Sequence, residues 1–121
     1  MENILDSKTP ISFFKEKVKN FVDARKWSKY HTPKNLVQAI NCEAGELSQL
    51  LLFKAHRIEE VKKDQKLVSD LSDEIADVFI YLISLINVLD IDLSQAFFRK
   101  MEKNKRKYSV EEFNDGKYFK K

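Results

Sequence analysis

Apolar residues recur along the chain at helical spacing. Phe14, Val18, Phe21, Val22 and Trp27 mark a first amphipathic helix from Pro10 to about Tyr30. A break at His31-Thr32-Pro33 follows. Thr32 as N-cap and Pro33 at the first helical position start a second helix. It is expected to run to about His56, with Leu36, Ile40, Leu47, Leu50 and Leu51 on one stripe. Residues 58–66 are charged and read as a loop or frayed helix end. A third helix, from about Ser69 to Leu89, is apolar almost all round in its second half. Such a helix is buried on more than one side, within the domain or by another subunit. Asp90 to Asp92 breaks it, and a fourth helix follows from about Leu93 to Lys107, with Leu93, Ala96, Phe97 and Met101 inward and a basic outer face. From Tyr108 onward no period is clear, and Asn114-Asp115-Gly116 is a turn signal. Four helices with short connections predict an antiparallel four-helix bundle.

Composition narrows the alternatives. At 121 residues the chain is long enough for one domain with a real core. Two glycines and two prolines cannot punctuate a sandwich or barrel, and Gly45 and Gly116 cannot spell either nucleotide-binding glycine loop. All-β and dinucleotide-binding folds are thereby excluded, leaving an all-α chain. Cys42 is the only cysteine, so no intramolecular disulfide and no thiolate metal cluster can form. The start, MENILDSKTP, lacks the layout of a signal peptide, and the most apolar run, Ile75 to Ile91, is interrupted by Asp77, Ser84, Asn87 and Asp90. A soluble, cytoplasmic protein is expected. The net charge of +3 is too small to demand a nucleic-acid partner, but it is unevenly spread. Acids outnumber bases between Glu43 and Asp77, and bases outnumber acids from Arg99 to Lys121.

Several acids stand where apolar residues are expected. With Leu36 set to zero on a helical wheel, Ile40 falls near ~40°, Leu47 near ~20° and Glu43 near ~340°, inside the stripe. Glu46 lies one turn on, and Gly45 between them costs about 1 kcal/mol in a helix interior. A close approach by another backbone or a ligand would account for it. On the third helix Asp70, Glu74, Asp77 and Tyr81 fall within about 60° of one another, flanking Val78, Leu82 and Leu85. Each carboxylate alone fits a solvated acidic face. Two E-x-x-[ED] pairs facing each other would instead make an all-oxygen cage, which suits Mg²⁺ or Mn²⁺ better than zinc. The spacing leaves both readings open.

Glu43-Ala-Gly-Glu46, followed after 27 residues by Glu74-Ile-Ala-Asp77, resembles the E-x-x-E…E-x-x-D signature of the MazG-like, all-α nucleoside triphosphate pyrophosphohydrolases. The chain is most similar to their small dCTP pyrophosphatase branch. Supporting phrases are Ala24-Arg25-Lys26-Trp27, His31-Thr32-Pro33-Lys34-Asn35-Leu36, Ser72-Asp73-Glu74-Ile75-Ala76-Asp77-Val78 and Lys100-Met101…Asn104…Arg106-Lys107-Tyr108. On this basis residues 10–108 are expected to form the family domain, with 1–9 an N-terminal extension and 109–121 a tail.

The resemblance implies hydrolysis of a nucleoside triphosphate to the monophosphate and pyrophosphate. The substrate would be dCTP or a modified pyrimidine deoxynucleotide, and the role nucleotide-pool sanitation. It implies that Glu43, Glu46, Glu74 and Asp77 hold Mg²⁺, with Mn²⁺ a substitute. Glu46, or in second place Glu43, would take the proton of the attacking water. Trp27, Phe53 and Tyr81 match the family's base-contacting positions; Phe53 stands where close relatives carry tryptophan, and Val18 where animal enzymes carry a histidine. His31, just ahead of the second helix, is a further base-contact candidate or simply a capping residue. Lys103, Asn104 and Arg106 are candidates for phosphate contact, and a homo-oligomer, dimer or tetramer, is expected. The alternative is a non-catalytic helical module binding nucleic acid through Arg99 to Lys107.

Overall fold

The computed structural model describes residues 4–54 and 56–121, so the first three residues of the expected extension lie outside the described residues. Pro10 takes extended backbone (φ −72°, ψ 158°) and stands just ahead of helix α1, Ile11–Ala24, rather than inside its first turn. The helix stops well before the expected Tyr30. Lys26 adopts a left-handed conformation (φ 57°), its N–H donating to the Asp23 carbonyl at 3.0 Å while the Trp27 N–H donates to that of Val22 at 3.1 Å. These two bonds close the helix in the manner usually signalled by a glycine, here absent. A single 3₁₀ turn, Ser28–Tyr30, leads into α2.

Helix α2, Pro33–Gln49, starts as expected: Thr32 Oγ1 accepts from the Asn35 N–H at 3.2 Å. Asn35 in turn donates through Nδ2 to the Tyr30 carbonyl at 2.9 Å, bracing the connection, and Leu36 is buried. The helix ends before the expected His56. Bonds from the N–H groups of Leu50, Leu51 and Leu52 to the carbonyls three residues earlier tighten the chain, and Phe53 at φ 60° turns it away.

Residues 58–66, read as a loop or frayed end, contain a short helix α3, Ile58–Lys63. Its Glu59 and Glu60 lie at the N-terminal end and Lys62 and Lys63 at the C-terminal end, complementing the helix dipole. Asp64 then caps α4, Gln65–Val88, its Oδ1 accepting from the Leu67 N–H at 3.0 Å, so this helix begins a turn earlier than expected. Asp90 (φ 53°) breaks the chain, and Asp92 caps α5, Leu93–Lys107. A short α6, Val110–Phe113, capped by Ser109, occupies the tail where no period was legible. No strand occurs among the described residues.

The backbone divides into two compact units, one reaching Asp90 and one from Ile91 to Lys121; the expected domain range 10–108 spans this division. The first unit holds three of the four expected long helices and the second holds the fourth. Within the first, α4 packs mainly on α2, then on α1 and α3. Its core is Val22, Leu36, Leu67, Ile83 and Ile86. Phe14 meets Phe79 edge-on at 5.3 Å, and Asn87 Nδ2 donates to the Lys15 carbonyl at 3.0 Å, tying α4 to α1. The buried line of α4 is therefore displaced from the expected Val78-Leu82-Leu85: Ile83 is fully buried and Leu82 exposed. Val68, Ile75, Leu82 and Leu89, seven residues apart, form an exposed apolar row. Within the second unit, Phe113 stacks between Tyr108 at 5.4 Å and Phe119 at 4.8 Å, and Lys121 pairs with Glu112. No helix among the described residues is long and apolar enough to cross a membrane.

Candidate functional site

Glu43 and Glu46 project from α2, and Glu74 and Asp77 from α4, the pair of helices in most extensive contact. One carboxylate oxygen from each of Glu43, Glu46 and Glu74 lies within 4.8 Å of the others. Asp77 falls outside that distance, but it lines the same cavity as Glu43, and its charge acts on both Glu43 and Glu74. The spacing i, i+3 on two facing helices is what brings these groups together.

Gathering acids at a core edge has an electrostatic consequence. Burial pushes the Glu43 carboxyl up to about 7, reinforced by hydrogen bonding with Glu46 and by the charges of Glu46, Asp77 and Glu74. Glu74 is also raised, first by burial and then by the Glu46 charge, with a hydrogen bond to Glu43 in opposition. Each ionised form is disfavoured because solvent is displaced and neighbouring charges have the same sign. Two oxygens, Glu43 Oε2 and Glu74 Oε2, are buried without any hydrogen-bond donor. Orphaned acceptors in an all-oxygen set are suited to a small hard divalent cation, which supplies positive charge and takes oxygen ligands. Gly45 does not contribute as expected: a Cβ there would meet nothing within 4 Å, because the residue lies on the outer side of α2.

Beside the acids opens a cavity of about 510 Å³. Glu43 and Asp77 line it together with Trp27, His31 and Tyr81, all three expected as base contacts. Trp27 is fixed there by the left-handed turn at Lys26 and by Phe21, whose ring meets it at 5.8 Å and 72°. Arg25 covers the other side of this aromatic pair, its guanidinium 3.7 Å from the Phe21 ring centre. His31 does not cap α2, since Thr32 does; its side chain lines the cavity instead. The remaining wall comes from Val18, which the resemblance had matched to a histidine position of animal enzymes, and from Phe14, Lys17, Phe79 and Ser84, among others, which the sequence reading did not assign to a site. The helical period placed Phe14 and Val18 in the core; the resemblance at Val18 and the lone hydroxyl of Ser84 within an apolar helix were the signals.

Phe53 does not join this cavity. The resemblance matched it to a base-contacting position, but α2 ends at Gln49 and Phe53 is 99 % exposed on the following turn. Lys103, Asn104 and Arg106 lie on α5 in the second unit, the two cations exposed and Asn104 half-buried.

The chain is similar to several known proteins. The model of the MazG-like family matches residues 38–120. The chain is 35% identical over 91 residues to dCTP pyrophosphatase 1 of Mus musculus, covering 74% of this chain and 54% of that protein. It is 34% identical over 89 residues to dCTP pyrophosphatase 1 of Homo sapiens, covering 73% and 52%. The chain thus spans about half the length of these relatives. Among solved structures, a pyrophosphatase from Archaeoglobus fulgidus superposes with a TM-score of 0.71 at 41% identity, covering 78% of this chain and 87% of that one.

Proposed function

The chain belongs to the MazG-like family, and from that membership we propose that it is a nucleoside triphosphate pyrophosphohydrolase, releasing monophosphate and pyrophosphate. The observation that carries this reading is the Glu43, Glu46 and Glu74 cluster with its orphaned oxygens, opening onto an aromatic cavity. A triphosphate is strongly anionic, so an acidic site can receive it only through a cation. Glu43, Glu46 and Glu74, with Asp77 beside them, would hold Mg²⁺, or Mn²⁺ in its place. When bound, that ion would offset phosphate charge and polarise the phosphorus under attack.

The chain's own residues would do the rest. Glu46 is the exposed member of the cluster and accepts the proton of the attacking water; Glu43, half-buried among the other acids, is the second choice. Trp27 and Tyr81 flank the base, with His31 at the cavity wall. Lys103, Asn104 and Arg106 serve the phosphates. The names of the relatives support dCTP as substrate; a modified pyrimidine deoxynucleotide, a role in nucleotide-pool sanitation and a cytoplasmic location belong to the same proposal. The exposed row Val68, Ile75, Leu82 and Leu89 suits assembly of copies into a dimer or tetramer. Nucleic-acid binding through α5 would leave the acidic cluster without a purpose.

The test is to incubate the protein with each dNTP and NTP, with and without Mg²⁺, and to quantify monophosphate and pyrophosphate. Metal-dependent release of both, greatest with a pyrimidine deoxynucleotide, is expected. No release from any triphosphate would remove the hydrolase reading.

A further inference from the structure

Ser84 is a polar residue within the buried core, only 3 % exposed. A serine inside a helix commonly bonds back to the carbonyl four residues earlier, as Ser72 Oγ does to that of Val68 at 2.7 Å. Ser84 makes no such bond, and among the described residues its hydroxyl has no hydrogen-bond partner at all. Its oxygen is not sealed in the core but keeps contact with the cavity, where a hydroxyl without a partner in the chain is available to whatever occupies that space.

The position of Ser84 says what that partner is. It lines the 510 Å³ cavity and also a second cavity of about 380 Å³ behind it, with Val18, Val22 and His31 common to both. Asp77, Tyr81 and Ser84 succeed one another on one side of α4. The two turns from Asp77 to Ser84 advance about 10 Å and deviate by only ~20° around the axis. A nucleotide laid along α4 with its phosphates at the acids extends to Ser84 with its base, Tyr81 lying beside that base. Phe14, Phe21 and Trp27 line the same cavity, and Ser84 brings to it a hydroxyl without a partner in the chain.

We propose that Ser84 is a specificity-determining residue whose hydroxyl hydrogen-bonds a polar edge atom of the substrate's nucleobase. The inference rests on the nucleotide reading of the site and extends it to a group that selects among bases. A hydroxyl both donates and accepts, so it can meet a ring carbonyl, a ring nitrogen or an exocyclic amine.

The experiment compares wild type, Ser84→Ala and Ser84→Thr on a panel of dNTPs, with melting temperature recorded alongside. Ser84→Ala is expected to lose about tenfold in kcat/KM for the preferred nucleotide, mainly through KM, as for one lost hydrogen bond. The preference over other bases narrows by the same factor, and the melting temperature does not fall because no intramolecular bond is removed. Ser84→Thr, which keeps the hydroxyl, retains the preference. An unchanged preference in Ser84→Ala overturns the proposal. Calorimetric binding of nucleoside monophosphates to the same proteins separates it from the hydrolase reading. If wild type hydrolyses nothing yet binds monophosphates selectively, and Ser84→Ala loses that selectivity, the base-reading role stands without the hydrolysis. If no monophosphate binds and no triphosphate is hydrolysed, both fall.

Discussion

The three glutamates carry opposing demands, and their conflict is the most informative feature at the scale of single residues. Burial makes Glu43 hold its proton more tightly in the folded chain than in the unfolded one, raising its carboxyl from 4.5 to about 7. The folded state therefore binds more protons in that interval, and stability falls as pH rises from about 4.5 to about 7. Metal-free protein is expected to melt at a lower temperature at pH 8 than at pH 5.5, and Glu43→Gln to flatten that difference. Mg²⁺ should raise the melting temperature at pH 8 and do much less at pH 5.5, where protons occupy the site; an equal effect at both pH values would argue against metal binding here. For the proposed chemistry, Glu46→Gln should lower turnover by about 10²–10⁴-fold, the usual worth of a general base, while nucleotide still binds. Turnover within threefold of wild type would transfer the role to another group. The motif spacing made these residues legible in the sequence; their raised proton affinity depends on which side of α2 and α4 meets the other, and that belongs to the packing.

At the scale of elements, one side-chain start signal was read well, while the caps at Asp64 and Ser109 and the ends made by backbone conformation were not. Thr32-Pro33 announces α2, because a capping oxygen and a proline have a local signature; Asp92, read only as part of a break, is the cap of α5. Lys26 and Phe53 end their helices in left-handed backbone without glycine, so α1 and α2 are shorter than their apolar periods suggest. The cost of a side chain in that conformation, about 1 kcal/mol or more, is offset by the contacts each turn secures. Lys26 delivers Trp27 to the cavity, a placement no helical wheel could give. Gly45 shows the opposite error. It looked like a site of close approach, but open space surrounds it. Gly45→Ala should therefore raise the stability of the isolated chain by about 0.5–1 kcal/mol in chemical denaturation. A destabilised variant would mean that something packs against this side of α2.

At the scale of the whole molecule, an all-α chain follows from composition, and membership of the MazG-like family follows from the comparisons. The apolar row of Val68, Ile75 and Leu82 on α4, continued by Leu89 at its C-cap, is exposed, and the proposed assembly would bury it. Light scattering should find an oligomer for the wild type and a smaller species for Leu82→Glu, since a charge in such a seam is desolvated without a partner. A monomeric wild type would leave the row without that role. The sequence by itself determined the helical class, the capped helix starts and the acid pairs, because periodicity, capping and i, i+3 spacing are local and act within one or two turns. Only tertiary structure decided that three of the four acids converge, that Trp27, His31 and Tyr81 share a cavity while Phe53 stands apart, and that Ser84 meets that cavity. Those outcomes depend on the angle and register at which α1, α2 and α4 pack, which no single helix encodes.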